Sequence, residues 1–199
     1  MSEALNEIVK KALELKDMGL STSDVARELN LSGETALWLT LKPPKKMKKT
    51  DLYIDISGLV GQPQRLGTLA SSLADLIREQ IGREFGDMVV MNSSEDDTPA
   101  SLSVARELEL DFVLMKTLKT EKGEEIRYPS TGYPEISGRE AIIIQNVISS
   151  GKGAELCIKR IEEEGGSPRG VFCVVNKSDR QEIDNVRVHP LIKVIKIGP

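Results

Sequence analysis

The sequence predicts an α/β protein: a mainly parallel sheet flanked by helices, preceded by a small all-α unit. Three observations carry this. Apolar runs such as Met88-Val89-Val90-Met91, Ala141-Ile142-Ile143-Ile144 and Val171-Phe172-Cys173-Val174-Val175 are short and continuous, as suits strands covered on both faces. Stretches with apolar residues at helical spacing separate them, and alternating β-α-β units imply parallel pairing. The first forty residues contain helical periodicity only, closed by a proline- and lysine-rich stretch.

The 199 residues suffice for a small unit plus a medium one. The apolar fraction of 39% and charged fraction of 29% fit a soluble globular chain. No apolar run approaches the roughly 18 residues of a membrane span. Met1-Ser2-Glu3-Ala4 lacks the basic start and apolar core of a secretory signal, so a cytoplasmic protein with no membrane partner is expected. Cys157 and Cys173 fall within apolar patterns without a Cys/His cluster, which points to buried thiols rather than a disulfide or metal site. The net charge is −4, unevenly spread: residues 1–50 hold nine basic and seven acidic residues, the remainder 18 and 24. The N-terminal part is thus suited to an anionic partner.

Residues 3–18 read as an amphipathic helix with Leu5, Ile8, Val9, Ala12, Leu13 and Leu15 on its stripe, and Gly19 as its stop. Ser21-Thr22-Ser23-Asp24 offers caps for a second helix through Leu29, and Ser32 caps a third. Leu20 to Leu39 resembles a helix-turn-helix, carried by Val25, Ala26 and Leu29, by Leu31 in the turn, and by Ala36, Leu37 and Leu39. The resemblance implies that Ser32, Gly33, Glu34 and Thr35, with Trp38 one turn on, face the major groove of double-stranded DNA, beside Ser21 and Thr22. A plain three-helix interaction module is the other reading. The third helix has no Arg or Lys before Lys42, so guanine readout by arginine is absent. In the stretch 42–49, Lys42, Lys45, Lys46, Lys48 and Lys49 surround two prolines and a methionine. It reads either as a solvated hinge or as phosphate-contacting, each contact steepening the log–log salt dependence by about 0.9. The organisation expected is residues 1–42 as the helical domain, 43–50 as linker and 51–199 as the α/β domain.

In the α/β domain, 52–56 reads as a strand, 66–83 as a helix and 87–91 as a strand. Residues 99–108 read as a helix with Thr98 as cap and Pro99 at its first position, and 111–116 as a strand. A strand over 139–145 precedes a helix over 152–164; strands over 171–175 and 192–197 follow. Lys116 to Gly138 is a long polar loop holding Lys119, Lys122, Arg127, Tyr128 and Tyr133, read either as a lid over a site or as a hairpin. His189, before Pro190, reads as structural or exposed.

The chemistry lies in Ala141-Ile142-Ile143-Ile144-Gln145-Asn146-Val147-Ile148-Ser149-Ser150-Gly151-Lys152-Gly153. A strand, a turn of small residues and a helix start make an anion site, because the first helical N–H groups lack partners and the dipole favours negative charge. This stretch resembles the ribose-phosphate loop of the type I phosphoribosyltransferases, whose pattern is an apolar strand, two acidic residues, two apolar residues, then Thr/Ser-Thr/Ser-Gly-x-Thr/Ser. Val147, Ile148, Ser149, Ser150 and Gly151 match; Gln145 and Asn146 replace the acidic pair, and Gly153 the last hydroxyl. The whole chain resembles archaeal regulators that fuse a helix-turn-helix to an orotate phosphoribosyltransferase-like domain, among them regulators of sugar catabolism. Its other matching pieces are 29–39, 103–108 and 182–194.

The resemblance implies a dimeric DNA-binding transcription factor whose second domain senses a small phosphorylated effector at Gln145, Asn146, Ser149, Ser150, Gly151, Lys152 and Gly153. Phosphorylated ribose or phosphoribosyl pyrophosphate is the implied ligand, with no cofactor required and no catalytic residue assigned. In the enzymes the acidic pair holds ribose hydroxyls beneath a transition state carrying positive charge, where fixed negative charge is worth most; neutral Gln145 and Asn146 keep acceptors without the charge. Glu95-Asp96-Asp97 follows the second strand, where pyrophosphate binds in the enzymes. A like-charge pair at 4 Å costs about 1 kcal/mol in water and about 4 at an effective dielectric of 20, so these carboxylates oppose a polyanion unless Mg or another metal bridges Glu95 and Asp97. The alternative is an active orotate or purine phosphoribosyltransferase with an accessory helical domain.

Overall fold

The computed structural model describes residues 3–41, 52–120 and 124–195, with side chains from residue 7 onward. The chain divides into two compact units, Met1–Asp55 and Ile56–Pro199.

The first unit is helical: α1 Glu3–Asp17, α2 Thr22–Glu28 and α3 Gly33–Thr40. Gly19 takes a left-handed φ of 89° and ends α1, as a residue without Cβ can. Ser21 and Asp24 form a capping box at α2: Asp24 N–H donates to Ser21 Oγ at 3.2 Å and Ser21 N–H donates to Asp24 Oδ2 at 3.1 Å. Ser32 Oγ accepts the Thr35 N–H at 3.1 Å and starts α3. Ala12, Val25, Ala26, Leu29, Leu31, Ala36 and Leu39 make the core, with Ile8, Val9 and Leu15 packed against it, whereas Leu13 and Leu37, expected on the apolar faces, are exposed. Residues 52–56 form no strand. Tyr53 instead packs on the three-helix core, while Leu52 is exposed.

The second unit opens with α4 Ser57–Val60 and α5 Pro63–Ile81, then β1 Val89–Asn92, a 3-10 turn Glu95–Asp97 and α6 Thr98–Leu108. Thr98 is the first helical residue of α6 and Asp97 holds the cap position instead. There follow β2 Asp111–Val113, β3 Met115–Lys119, β4 Glu125–Pro129, β5 Glu140–Ile148, α7 Lys152–Glu163, β6 Ser167–Asn176, β7 Glu182–Ile183 and β8 Val186–Lys193. Six strands form one sheet in the order β2-β1-β5-β6-β8-β7, parallel except for the β7–β8 pair. The strand expected over 111–116 breaks at Leu114, and its second half pairs antiparallel with β4 as a separate hairpin, so part of the long polar loop is a hairpin. The last strand starts earlier than the sequence suggests, because Asp184 and Asn185, at φ of 46° and 64°, make a two-residue turn that sets β8 against β7.

β5 lies at the centre, with Val89 to Asn92 paired to Ala141 to Ile144 on one side and β6 on the other. One face packs Ala141, Ile143, Val171 and Cys173 against Ala154, Cys157, Ile158 and Ile161 of α7. The alternate residues Val90, Ile142, Ile144 and Phe172 are also fully buried, on the face that carries α5 and α6. All the parallel strands therefore end on one edge, and the ligand sites of such sheets lie there.

Candidate functional site

The apolar run of β5 stops at Ile144, but its backbone ladder continues: Gln145 pairs with Cys173, Val147 with Val175 and Ile148 with Asn176 of β6. Gln145 and Asn146 therefore lie inside a strand and point to opposite faces. Asn146 faces the 3-10 turn. Its Nδ2 donates to the Asp96 carbonyl at 3.1 Å and its N–H donates to Asp97 Oδ1 at 2.7 Å. Gln145 faces α7, and its Nε2 donates to the Val147 carbonyl at 3.2 Å. The two residues at the acidic-pair positions thus do not act as one adjacent pair.

The turn beyond them is built around Gly151, which caps α7 with a left-handed φ of 86°. A Cβ there would lie 2.9 Å from Arg180 Nη1 and 3.0 Å from Ile183 Cδ1. Lys152 N–H donates to Ser150 Oγ at 3.4 Å, and Arg180 donates to the Ser150 carbonyl while pairing with Glu155. Ser150 and Lys152 are exposed, Ser149 and Gly153 half-buried. The structure thus brings Gln145, Ser149, Ser150, Gly151, Lys152 and Gly153 together at the C-terminal end of β5.

Two further residues join them that sequence reasoning did not assign. Ser93, directly after β1, is fully buried, and Arg127 of β4 is 4% exposed. A Cβ on Gly153 would lie 3.1 Å from Ser93 Oγ, 3.6 Å from Gln145 Nε2 and 3.9 Å from Arg127 Nη2. The absence of a side chain at 153 thus lets the start of α7 come close to three polar groups. Ser93 Oγ, Gln145 Oε1, and Nε and Nη1 of Arg127 are all buried without a hydrogen-bond partner among the described residues, as is Asn146 Oδ1 on the opposite face. The nearest carboxylate to Arg127, Glu95, sits 3.7 Å away. Each buried polar atom left in this state costs about 1–3 kcal/mol, more for a charged group. The sequence signal for Ser93 is its place after the second strand, in the loop where pyrophosphate binds in the enzymes, and for Arg127 its place in the long polar loop read as a lid or a hairpin.

The acidic turn differs from its expected role. Asp97 is 3% exposed and points inward, accepting hydrogen bonds from Ser94 N–H, Ser94 Oγ and Asn146 N–H. Burial pushes its carboxyl up to about 6, against the pull of those bonds. Glu95 accepts the Thr117 N–H at 2.6 Å and the Thr117 hydroxyl at 2.7 Å. Burial pushes the Glu95 carboxyl up, but those bonds and the Arg127 charge outweigh it and hold it below the usual range. Only Asp96 of the three is exposed without such anchoring bonds to its carboxylate, so the repulsion expected of three carboxylates is largely neutralised internally. No group of three or more His, Cys, Asp or Glu suited to a metal occurs among the described residues.

Because the folded carboxyl of Asp97 is raised above 3.8, its contribution to stability is fully present below pH 3.8 and is lost as pH rises through about 6. The total is about 3 kcal/mol, with roughly half gained between pH 7.5 and 5. Urea denaturation at these two pH values should show this gain in the wild type and its disappearance in Asp97→Asn. Equal pH slopes in the two proteins would refute it.

The remaining candidates are placed as follows. Ser21 and Ser32 are caps; Gly33 and Glu34 are exposed and Thr35 half-exposed on the first turn of α3. Thr22 is half-buried. Trp38 packs on the helical core with its indole N–H buried. Lys42, Lys45, Lys46, Lys48 and Lys49 lie outside the described residues. Cys157 and Cys173 are buried free thiols; burial pushes Cys157 up to about 12 and Cys173 higher still. His189 stacks on Phe172 at 4.7 Å, and burial, then the Arg187 charge, lowers its pKa. No described helix is long and apolar enough to cross a membrane.

Curated relatives match over essentially full length. The chain is 33% identical to the transcriptional regulator GfcR of Methanocaldococcus jannaschii, covering 100% of this chain and 97% of that protein. It is 30% identical to GfcR of Haloferax volcanii, over 98% of each. The chain belongs to the GfcR family of transcriptional regulators. No family model matches it. Among solved structures, adenine phosphoribosyltransferase from Thermoanaerobacter pseudethanolicus superposes with a TM-score of 0.57 at 18% identity, covering 74% of this chain and 90% of that one. Orotate phosphoribosyltransferase from Aeropyrum pernix does so at 0.56 and 16%, covering 74% and 81%. At these identities the likeness establishes the fold. This GfcR-family member is thus a regulator carrying a phosphoribosyltransferase-like domain, with the fold class read from its sequence.

Proposed function

We propose that this regulator binds double-stranded DNA as a homodimer through its three-helix unit and the lysines of 42–49, and that its second unit senses a small phosphorylated sugar or nucleotide-type effector without turning it over. One observation carries the sensing half: Ser93, Arg127 and Gln145 meet at Gly153 beside the helix start of α7, and each keeps a buried polar atom without a partner among the described residues. Buried polar groups are nearly always satisfied, and the exceptions mark sites where something else supplies the partner. A helix start together with a buried guanidinium suits a phosphate, and Gln145 Oε1 suits a sugar hydroxyl. Catalysis is disfavoured by Gln145 and Asn146, which put no negative charge where a ribosyl cation would develop. The DNA half rests on family membership and on the exposed, Ser32-capped start of α3.

Selection from a random duplex library should enrich a two-fold symmetric site with half-sites about one helical turn apart, near 34 Å. Binding should weaken steeply with salt and shift on addition of ribose 5-phosphate or phosphoribosyl pyrophosphate. No pyrophosphate should be released from the latter with orotate or a purine. Failure to enrich any sequence would defeat the DNA reading; turnover would install the enzyme reading in its place.

A further inference from the structure

We propose that Arg127 is a built-in counter-ion for the effector: the anionic group of a phosphorylated sugar is taken directly on its guanidinium, without a divalent metal. This rests on the effector reading above and specifies how that site works.

Arginine cannot shed its proton to escape burial, as lysine can, so the cation at 127 stays charged. Its side chain is 2% exposed, and Nε and Nη1 have no hydrogen-bond acceptor among the described residues. Glu95 gives it only a 3.7 Å ion pair, because both Glu95 oxygens already accept from Thr117. A buried cation so weakly compensated is destabilising unless a further anion meets it. The groups around it fix what that anion belongs to. Ser93 and Gln145 approach Gly153 as Arg127 does, and Ser93 Oγ and Gln145 Oε1 are buried without a partner among the described residues. Oxygen acceptors next to a guanidinium select a molecule that carries hydroxyls as well as an anion.

The carboxylates decide against a metal. A divalent ion bridging a phosphate needs carboxylate oxygens free to ligate it. Asp97 is turned inward onto Ser94 and Asn146, and Glu95 is bonded to Thr117, which leaves the exposed Asp96 as the one unanchored carboxylate of the turn, fewer than a bridging ion shared by two carboxylates needs. The position that Gln145 occupies supplies an amide. The local cation is therefore the protein's own, fixed on β4 and available at all metal concentrations.

Calorimetry on the full chain tests this with ribose 5-phosphate and phosphoribosyl pyrophosphate, each in EDTA and in magnesium, with inorganic phosphate and ribose as the single-feature probes. Sugar phosphate should bind in EDTA as tightly as in magnesium, within about threefold, and more tightly than phosphate or ribose alone. Arg127→Gln should weaken it by about 30-fold or more. Arg127→Lys, which keeps the charge, should bind at least about tenfold more tightly than Arg127→Gln. Without ligand, Arg127→Gln should melt about 2–4 °C above the wild type, since it removes a poorly paired buried charge. A strict need for magnesium, equal affinities of the Lys and Gln variants, or unchanged affinity in Arg127→Gln would overturn the proposal and leave the effector reading standing. If the wild type binds neither phosphorylated sugar under either condition, the effector reading itself falls, and this inference with it.

Discussion

Gly151→Val should abolish effector binding and lower the melting temperature by about 4–20 °C, the drop expected from about 2–5 kcal/mol. Two costs add. Gly151 holds a φ of 86°, a region that costs a side-chain-bearing residue about 1–2 kcal/mol and a β-branched one more. A Cβ would meet Arg180 Nη1 at 2.9 Å and Ile183 Cδ1 at 3.0 Å, an overpacking worth a further 1–3 kcal/mol or so. Arg180 is a flexible side chain and can yield, but Ile183 is buried in β7. The turn must then move, and with it the N–H groups at the start of α7. Differential scanning calorimetry and titration with ribose 5-phosphate read both effects. Wild-type affinity in a folded Gly151→Val would remove the turn from the site.

Neutralising Lys45, Lys46, Lys48 and Lys49 to glutamine should reduce the log–log salt slope of DNA binding by up to about 3.6, at about 0.9 per lost phosphate contact. Because the effect is purely electrostatic, affinity should fall alike on selected and unrelated duplexes, and most strongly at low salt. Effector binding by the second unit should be untouched. Fluorescence anisotropy across a salt series separates the two readings of this stretch: an unchanged slope would make 42–49 a solvated hinge and leave DNA contact to the helices alone.

Much of the fold was legible because it is local. Helices α1, α2, α3, α5 and α7 follow from apolar spacing and from Ser, Pro and Gly at their ends. The fully buried strands announce themselves as continuous apolar runs. Where a partner decides the outcome, local pattern does not suffice. The stretch 52–56 has a strand's composition but no strand to pair with, and Tyr53 finds a hydrophobic surface elsewhere. β5 runs three residues past Gln145 because β6 continues its ladder, not because its side chains call for it. The β7–β8 hairpin was signalled by Asp184-Asn185, a turn pair easily passed over in a polar stretch.

The sequence by itself determined a helical start, the parallel sheet, and a small-residue turn opening a helix at Ser149 to Gly153, since propensity, periodicity and caps act within a few residues. It also determined that the acidic pair is absent, because that is a matter of identity. Only the tertiary structure decided that Gln145 and Asn146 face opposite ways, that Asp97 turns its carboxylate inward, and that Arg127 is buried beside Ser93 and Gly153. These depend on segments 26 to 60 residues apart meeting at one sheet edge. Burial and hydrogen bonding there are set by neighbours that no local pattern names.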